Sequence, residues 1–396
     1  MRRRLLCPLA LALALVTAPA LAQGDLRAAA EAGDLTAQLT LAERFENGDG
    51  VVQNFARAAQ WYDRAAEAGS REAANRLGRL YHAGLGVPRD IPRAIALLER
   101  AAESGTAEHL YDLALVIETT QTDEAELTRA AGLYRRAAEA GNLDAAVSLG
   151  VLLQNGKGVA QDFAEAAALY QGAADAGHAR ALNNLGLLYV RGNGVAQNYD
   201  RAATLFQAAA DKGLPEALTN LGVLYENGFG VPQSDELAAS YYRRGGQGDA
   251  GARQAQHLVY DARLAPPPDD ADALKALEKA ALAGDPVAEF LVAYLVLEDD
   301  LRDPRRDVRA ALMMRRAAEA GYAPAMANVA LLYFRGLGVP QDYVLGQMWL
   351  VLAGTSGFDG TAGLTAYWSA KMTADQINDA QARAEAKWAS WQNVVQ

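Results

Sequence analysis

Residues 179–213 read ARALNNLGLLYVRGNGVAQNYDRAATLFQAAADKG, and this stretch decides the fold. In its first half, apolar residues fall at offsets 0, 4, 7 and 8 from Ala181, which is the stripe of an amphipathic helix. Gly192-Asn193-Gly194 then interrupts the helix, and Asn198 is suited to cap the next one with its side-chain oxygen. The second half repeats the stripe up to Gly213. The stretch therefore predicts a helix, a glycine loop, a second helix and a turn.

The same pattern recurs along almost the whole chain of 396 residues. Glycines that end an alanine-rich stretch follow one another at spacings of 35 to 37 residues, which divides the chain into nine units. Six units carry a Gly-x-Gly-Val loop, but this loop follows a helix instead of a strand and is therefore not a phosphate loop. Cap-type residues follow these six loops: Asn54, Asp90, Asp162, Asn198, Asp235 and Asp342. Units one to nine end at Gly69, Gly105, Gly141, Gly177, Gly213, Gly248, Gly284, Gly321 and Gly357, and Gly33 precedes unit one.

The combined pattern A-x-x-x-L-G-x-x-Y, G-x-G-V-x-x-D and A-x-x-x-(Y/F)-x-x-A-A-x-x-G resembles the Sel-1-like repeat, a relative of the tetratricopeptide repeat. The resemblance runs from about Asp25 to Trp391. It implies a superhelix of paired helices that binds other proteins as an adaptor, scaffold or regulator, and bacterial members are often envelope proteins. We therefore expect an all-α, right-handed superhelical α-solenoid of about nine helix–loop–helix repeats with a C-terminal capping helix.

Units seven and eight depart from the pattern. Unit seven has the run 265–270, APPPDD, in place of the glycine loop, and unit eight has the acidic run 298–303 there. We expect a bend near residues 245–310, for which a hinge or partner-docking ridge and harmless sequence drift are both open explanations. The chain thus divides into a signal peptide, 1–22; repeats one to six, 23–247; repeats seven to nine, 248–357; and C-terminal capping helices, 358–396.

The C-terminal segment has the features of a terminal cap. Residues 373–376, TADQ, have the form of a capping box. Such a helix would cover the last repeat, as solenoids require for solubility. We expect its tryptophans to pack in the core, with a role as a partner anchor as the alternative. The residues on its apolar face are Ile377, Ala380, Ala384, Trp388 and Trp391.

The N-terminus has the three parts of a secretory signal. Three arginines at 2–4 precede the apolar residues 5–16, and small residues follow up to Ala22. The apolar stretch is shorter than the ~20 residues that span a membrane, so we expect cleavage near Ala22 and no stable membrane insertion. The mature protein is expected to be periplasmic or secreted. The single cysteine, Cys7, would leave with this segment, so no disulfide is expected.

Charge and motifs narrow the classes of function. Loss of three arginines from the 37 basic residues would change the formal charge from −11 to −14, which disfavours a nucleic-acid partner. The chain has no H-E-x-x-H, G-x-S-x-G or S-x-x-K motif, and its four histidines occupy different repeat positions. We therefore expect neither metal, cofactor nor enzymatic activity. The alternatives are a cell-wall or β-lactam-active enzyme, an activity linked to cysteine-rich relatives, and a secreted host-interaction factor.

We expect the partner, another protein or peptide of the cell envelope, to bind the concave face. In the tetratricopeptide arrangement the first helices line this face. In unit two, Arg76 and Arg79 are expected to form intramolecular ion pairs with Glu43 and Glu46 of unit one. The remaining partner-binding candidates are Asn183, Asn184, Arg191 and Asn220 in units five and six, and Phe290, Leu291, Tyr294, Asn328 and Phe334 in units eight and nine.

The two candidate sets predict different chemistry. The amides of units five and six can hold an extended peptide backbone, because each both donates and accepts hydrogen bonds; plain solvated surface is the alternative. The set in units eight and nine is apolar and aromatic where solvent is expected, which makes it the stronger candidate. Its alternative is burial against a neighbouring repeat or the C-terminal cap.

Overall fold

All regular secondary structure in the described part of the chain is helical, which confirms the predicted all-α solenoid. The computed structural model describes residues 25–246, 255, 257–268, 270–299 and 303–394. A short helix at 25–31 precedes unit one. The proposed signal peptide, 1–22, lies outside the described residues.

Eight units consist of a first and a second helix that pack against each other. Consecutive units pack in turn, so that the array forms a continuous helical stack through unit six and again from unit seven onward. The first helices span Leu35–Asn47, Arg71–Ala83, Ala107–Thr120, Leu143–Asn155, Ala179–Arg191, Pro215–Asn227, Pro286–Glu298 and Ala323–Arg335. The second helices, with that of unit seven included, span Phe55–Glu67, Ile91–Ala102, Glu124–Glu139, Phe163–Asp175, Tyr199–Asp211, Asp235–Gly246, Ala271–Leu282, Pro304–Glu319 and Tyr343–Thr355.

The prediction of a helix pair is wrong for unit seven. Residues 257–268, where the sequence register puts the end of its first helix and its loop, are not helical. The backbone of Val259 bonds to a side chain of unit nine instead of to helical neighbours. Three prolines at 266–268 also lack the backbone N–H that a helix needs. We call residues 257–261, which precede a turn at 262–264, the extended segment.

The two helices of a unit approach closely because the first helix carries a small residue at the contact. In unit five this residue is Gly186, where an added Cβ would lie 2.6 Å from the ring of Phe206. Phe206 is buried together with Ala202 and Ala209 of the second helix. The packing of this ring offsets the ~1 kcal/mol that glycine costs inside a helix.

The predicted caps after the glycine loops are confirmed at five of six positions. Asn54, Asp90, Asp162, Asn198 and Asp342 each accept a hydrogen bond from the backbone N–H three residues on. The prediction for Asp235 is wrong, because this residue already lies in the helix. The hydroxyl of the preceding residue, Ser234, accepts from the N–H of Leu237 at 3.2 Å.

The C-terminal helix, Ala374–Val394, begins with the predicted capping box. The N–H of Thr373 donates to Oε1 of Gln376 at 2.9 Å, and the N–H of Gln376 donates to Oγ1 of Thr373 at 3.3 Å. The helix packs against the second helix of unit nine. Ala380 and Ala384 are fully buried, and the rings of Trp391 and Trp349 lie 6.2 Å apart.

The same helix also contacts units one and two, which the sequence did not predict. Oδ1 of Asn378 accepts from the N–H of Gly86 at 2.8 Å, and its Nδ2 donates to the carbonyl of Gly84 at 3.0 Å. Oε1 of Gln381 accepts from the N–H of Phe55 at 2.9 Å. These bonds satisfy backbone donors at loops and at a helix N-terminus. The two ends of the array are therefore joined through the C-terminal helix.

Candidate peptide-binding site

The candidate site residues lie on the first helices and share two repeat positions. Asn184, Asn220 and Asn328 stand one residue before the inward-facing leucine or valine of units five, six and nine. We call this the asparagine position. Three residues further on is a second position, which we call the floor position. It is held by Leu187, Val223, Tyr294 and Leu331 in units five, six, eight and nine.

In unit nine, the asparagine position holds a stretch of extended chain. Oδ1 of Asn328 accepts a hydrogen bond from the N–H of Val259 at 2.7 Å, and Nδ2 of Asn328 donates to the carbonyl of Val259 at 2.9 Å. The side chain of Asn328 is fully buried. One amide thus satisfies both backbone groups of a single residue, which requires no particular side chain at that residue.

The residues on either side of Val259 are held by side chains of unit eight. The N–H of Leu258 donates to Oε1 of Glu298 at 2.9 Å, and the Leu258 side chain is buried in the local core. The ring of Tyr260 lies edge-on to that of Tyr294, with ring centres 5.1 Å apart. Leu258 and Tyr260 therefore contribute apolar contacts on both sides of the bonded backbone.

The last contact of the extended segment is a carboxylate. Asp261 accepts a hydrogen bond from the Tyr322 hydroxyl and is held by Nε of Arg263 at 2.9 Å. The hydrogen bonds from Arg263, with that from Tyr322, outweigh burial and lower the pKa of Asp261 to about 2. Asp261 is therefore ionised at neutral pH and anchored by a tyrosine of unit nine.

The prediction that Phe290 and Phe334 present exposed rings to solvent is wrong, because the chain itself covers them. Phe290 is fully buried beneath the extended segment, and its ring lies 6.4 Å from Tyr260. Phe334 stacks on Trp368 of the helix Thr361–Ser369, with ring centres 4.4 Å apart. Two other candidates of this set, Leu291 and Tyr294, are half-buried against the same core.

The same two positions in units five and six are not covered in this way. Nδ2 of Asn220 donates to Oδ1 of Asn183 at 2.8 Å, which links the two units. Asn183 is buried by this pairing, whereas Asn184 and Asn220 are half-buried. At the floor position, Val223 is 42% exposed, in contrast to 0% for Leu331 in unit nine. The surface of units five and six therefore presents amides beside an uncovered aliphatic side chain.

Arg191 adds a positive charge to one end of this surface. It is the last residue of the first helix of unit five and is exposed. The structure therefore places Asn183, Asn184, Arg191 and Asn220 on one continuous pair of units, with Asn183 and Asn220 paired to each other.

The corresponding surface of unit two is taken up by ion pairs. Nη1 of Arg76 lies 3.8 Å from Oε2 of Glu46, which confirms the predicted pairing with unit one, and its Nε lies 2.8 Å from Oε1 of Glu72. Arg79 pairs with Asp112 of unit three instead, at 3.8 Å. Burial raises the pKa of Glu72, but hydrogen bonds from Arg76 and a neighbouring histidine outweigh it and the net shift is downward.

Two further findings concern metals and membranes. Within the described ranges, no group of three or more histidine, cysteine, aspartate or glutamate residues is placed to hold a metal ion. Among the helices that the structure describes, none is both long and apolar enough to cross a membrane.

The helix pairs and their first-helix face define a helical-repeat protein of the protein-interaction class. The Sel1 repeat model matches residues 35–70, 71–106, 124–142, 143–178, 179–214, 215–248, 286–322 and 323–358. The chain therefore belongs to the Sel1 repeat family, whose repeats mediate protein–protein interactions. Unit seven, which contains the extended segment, is not matched.

Two solved structures place the chain among bacterial relatives. A protective antigen of uropathogenic Escherichia coli with an SLR fold is 27% identical, with a TM-score of 0.51, over 95% of this chain and 90% of that chain. A Sel1 repeat protein from Oxalobacter formigenes is also 27% identical, with a TM-score of 0.50, over 59% of this chain and 98% of its own. No curated protein sequence gives a significant match.

Proposed function

We propose that this chain is an exported protein-interaction scaffold or regulator that binds an extended segment of another envelope protein on units five and six. One observation carries the proposal: Asn328 holds the backbone of Val259 through both of its hydrogen bonds. Asn184 and Asn220 occupy the same repeat position, and the adjoining Val223 is uncovered. A partner strand laid along these units would meet the same kind of amide.

The chemistry of this surface favours a peptide partner. Asparagine amides bond to the backbone of an extended chain, whatever its side chains are. Val223 and Leu187 offer apolar contact, and Arg191 offers a charge for an acidic side chain at one end of the segment. The role of Sel1 repeats in protein–protein interaction also supports a peptide or protein partner. Export rests on the sequence of residues 1–22 alone.

A photo-crosslinking residue at Val223 tests the binding surface. We expect a crosslinked partner from this position in growing cells and none from Thr204, which is exposed on the second helix of unit five. The double substitution Asn184→Ala and Asn220→Ala should abolish the Val223 product while the chain keeps its full helical circular dichroism signal. Equal capture from both positions, or capture that survives the double substitution, would contradict a site on units five and six.

The N-terminal sequence of the mature protein tests export. We expect the chain recovered from the periplasm to begin at Gln23. An unprocessed chain in the cytoplasm would refute the proposed export. Recovery of the processed chain mainly from the culture medium would instead favour a secreted factor that acts on a host cell.

A further inference from the structure

Residues 258–261 contact units eight and nine in the manner of a short bound peptide. These four residues are buried or half-buried, whereas the flanking His257, Ala262 and Arg263 are exposed; further out, Ala255 and Leu264 also pack on the same core. The attachments come from side chains of units eight and nine, not from a helix or strand within the segment itself. The family repeat also skips this part of the chain.

We propose that units eight and nine form a second peptide-binding groove, which residues 258–261 occupy until an extended partner peptide of the same chemistry displaces them. This goes beyond the proposed function, because it assigns a different surface, a ligand sequence pattern and an intramolecular competitor.

The contacts of the segment define the ligand. Its first residue is aliphatic, since Leu258 is only 5% exposed. Its second is recognised through the backbone by Asn328, so any residue fits. Its third is aromatic and packs on Tyr294, and its fourth is acidic and accepts from Tyr322. The chain continues past Asp261, so the groove does not require a free terminal carboxylate.

Tethering explains why the groove is filled. A segment attached to the same chain has an effective concentration of about millimolar for a short flexible connection. A free peptide of equal intrinsic affinity must therefore reach a concentration above this value before it displaces the attached segment. Weakening the attached segment while leaving the groove intact should therefore raise the apparent affinity for a peptide added in solution.

The test uses the mature full-length chain and a fluorescent peptide with the sequence of residues 257–263, HLVYDAR, blocked at both ends. The variant Leu258→Ala with Tyr260→Ala should bind this peptide at least tenfold more tightly than the natural chain, as measured by fluorescence anisotropy. A scrambled peptide of the same composition should not bind. Adding Asn328→Ala to the variant should remove the binding.

The outcomes separate the proposal from a purely structural role for the segment. Absence of binding by a folded variant, binding of the scrambled peptide, or binding that survives Asn328→Ala would each overturn it. If the double variant loses its helical circular dichroism, Asp261→Asn serves as the weakened chain under the same criteria. A concentration-dependent dimer of the natural chain that the substitutions abolish would assign the groove to a second copy and also overturn it. None of these results depends on the Val223 crosslink.

Discussion

Units five and six and units eight and nine carry the same asparagine position in two different states. In unit nine, Asn328 is fully buried and holds the backbone of Val259, and the floor residue Leu331 is covered completely. In unit six, Asn220 is half-buried and Val223 beside it is 42% exposed. In unit nine this repeat position thus holds chain of unit seven, whereas no part of the chain that the structure describes covers Val223 in this way.

The largest effect is expected from breaking the scaffold under the open surface. Leu185→Asp should lower the free energy of unfolding by more than about 4 kcal/mol, because Leu185 is only 1% exposed and a buried, unpaired carboxylate is strongly destabilising. Loss of the helical circular dichroism signal in urea titration measures this. Val223→Asp, on the exposed floor, is the matched control and should stay within about 0.5 kcal/mol of the natural chain.

The next largest effect is expected from removing the side chain of Asn328, with Asn220 as the comparison. Asn328→Ala removes both hydrogen bonds from a fully buried amide to the half-buried backbone of Val259, so the free energy of unfolding should fall by about 2 kcal/mol. Asn220→Ala should cost less than about 1 kcal/mol, because only its single bond to Asn183 is lost. Equal costs in urea denaturation would contradict the contrast between the two sites.

The stability that Asp261 contributes to the folded chain should be lost in acid. The pKa of Asp261 is lowered to about 2 from 3.8, so the folded state favours the carboxylate. The stability that this group contributes is present above pH 4 and is lost progressively as the pH falls through 4 towards 2, at about 2 kcal/mol in total. Asp261→Asn should remove this component, so that the difference in stability between the two chains shrinks from pH 7 to pH 2.5. A difference independent of pH would show that folding does not shift the pKa of Asp261 and would contradict this prediction.

The C-terminal helix carries a third asparagine whose side chain bonds to backbone groups, but in a more exposed place. Asn378 also bonds to backbone on both sides, to the N–H of Gly86 and the carbonyl of Gly84, but it is only half-buried. Water can replace these bonds, so Asn378→Ala should lower the free energy of unfolding by about 1 kcal/mol. Arg383→Ala, which removes an exposed ion pair with Asp379 on the same helix, is the control and should leave the urea midpoint unchanged.

The repeat itself could be predicted because its signals are local. Helix stripes, glycine loops and caps such as Asn198 depend on residues within one unit, and the structure confirms them. The placement of the asparagines on one helix face follows from the same periodicity. The chain division at 248 and the role of the candidate residues in partner binding stay predictions.

The covering of units eight and nine could not be predicted from local pattern. Phe290 and Phe334 stand at repeat positions that are exposed in unit six, as Thr219 and Glu226, but their rings are buried by chain from unit seven and by Trp368. The only sequence signals were the prolines at 266–268 and the lost glycine loop, which indicate that unit seven is irregular but not where its chain goes. The contact of Asn378 with unit two, 292 residues away, likewise depends on the curvature of the whole array.

Hydrogen exchange at the backbone amide of Val259 tests the central claim most directly. If the first-helix face binds extended chain through its asparagine position, this amide should be protected relative to the exposed amide of Ala262, and Asn328→Ala should remove the protection. The matched substitution Asn220→Ala should leave it unchanged. Exchange at Val259 as fast as at Ala262 in the natural chain would contradict the claim.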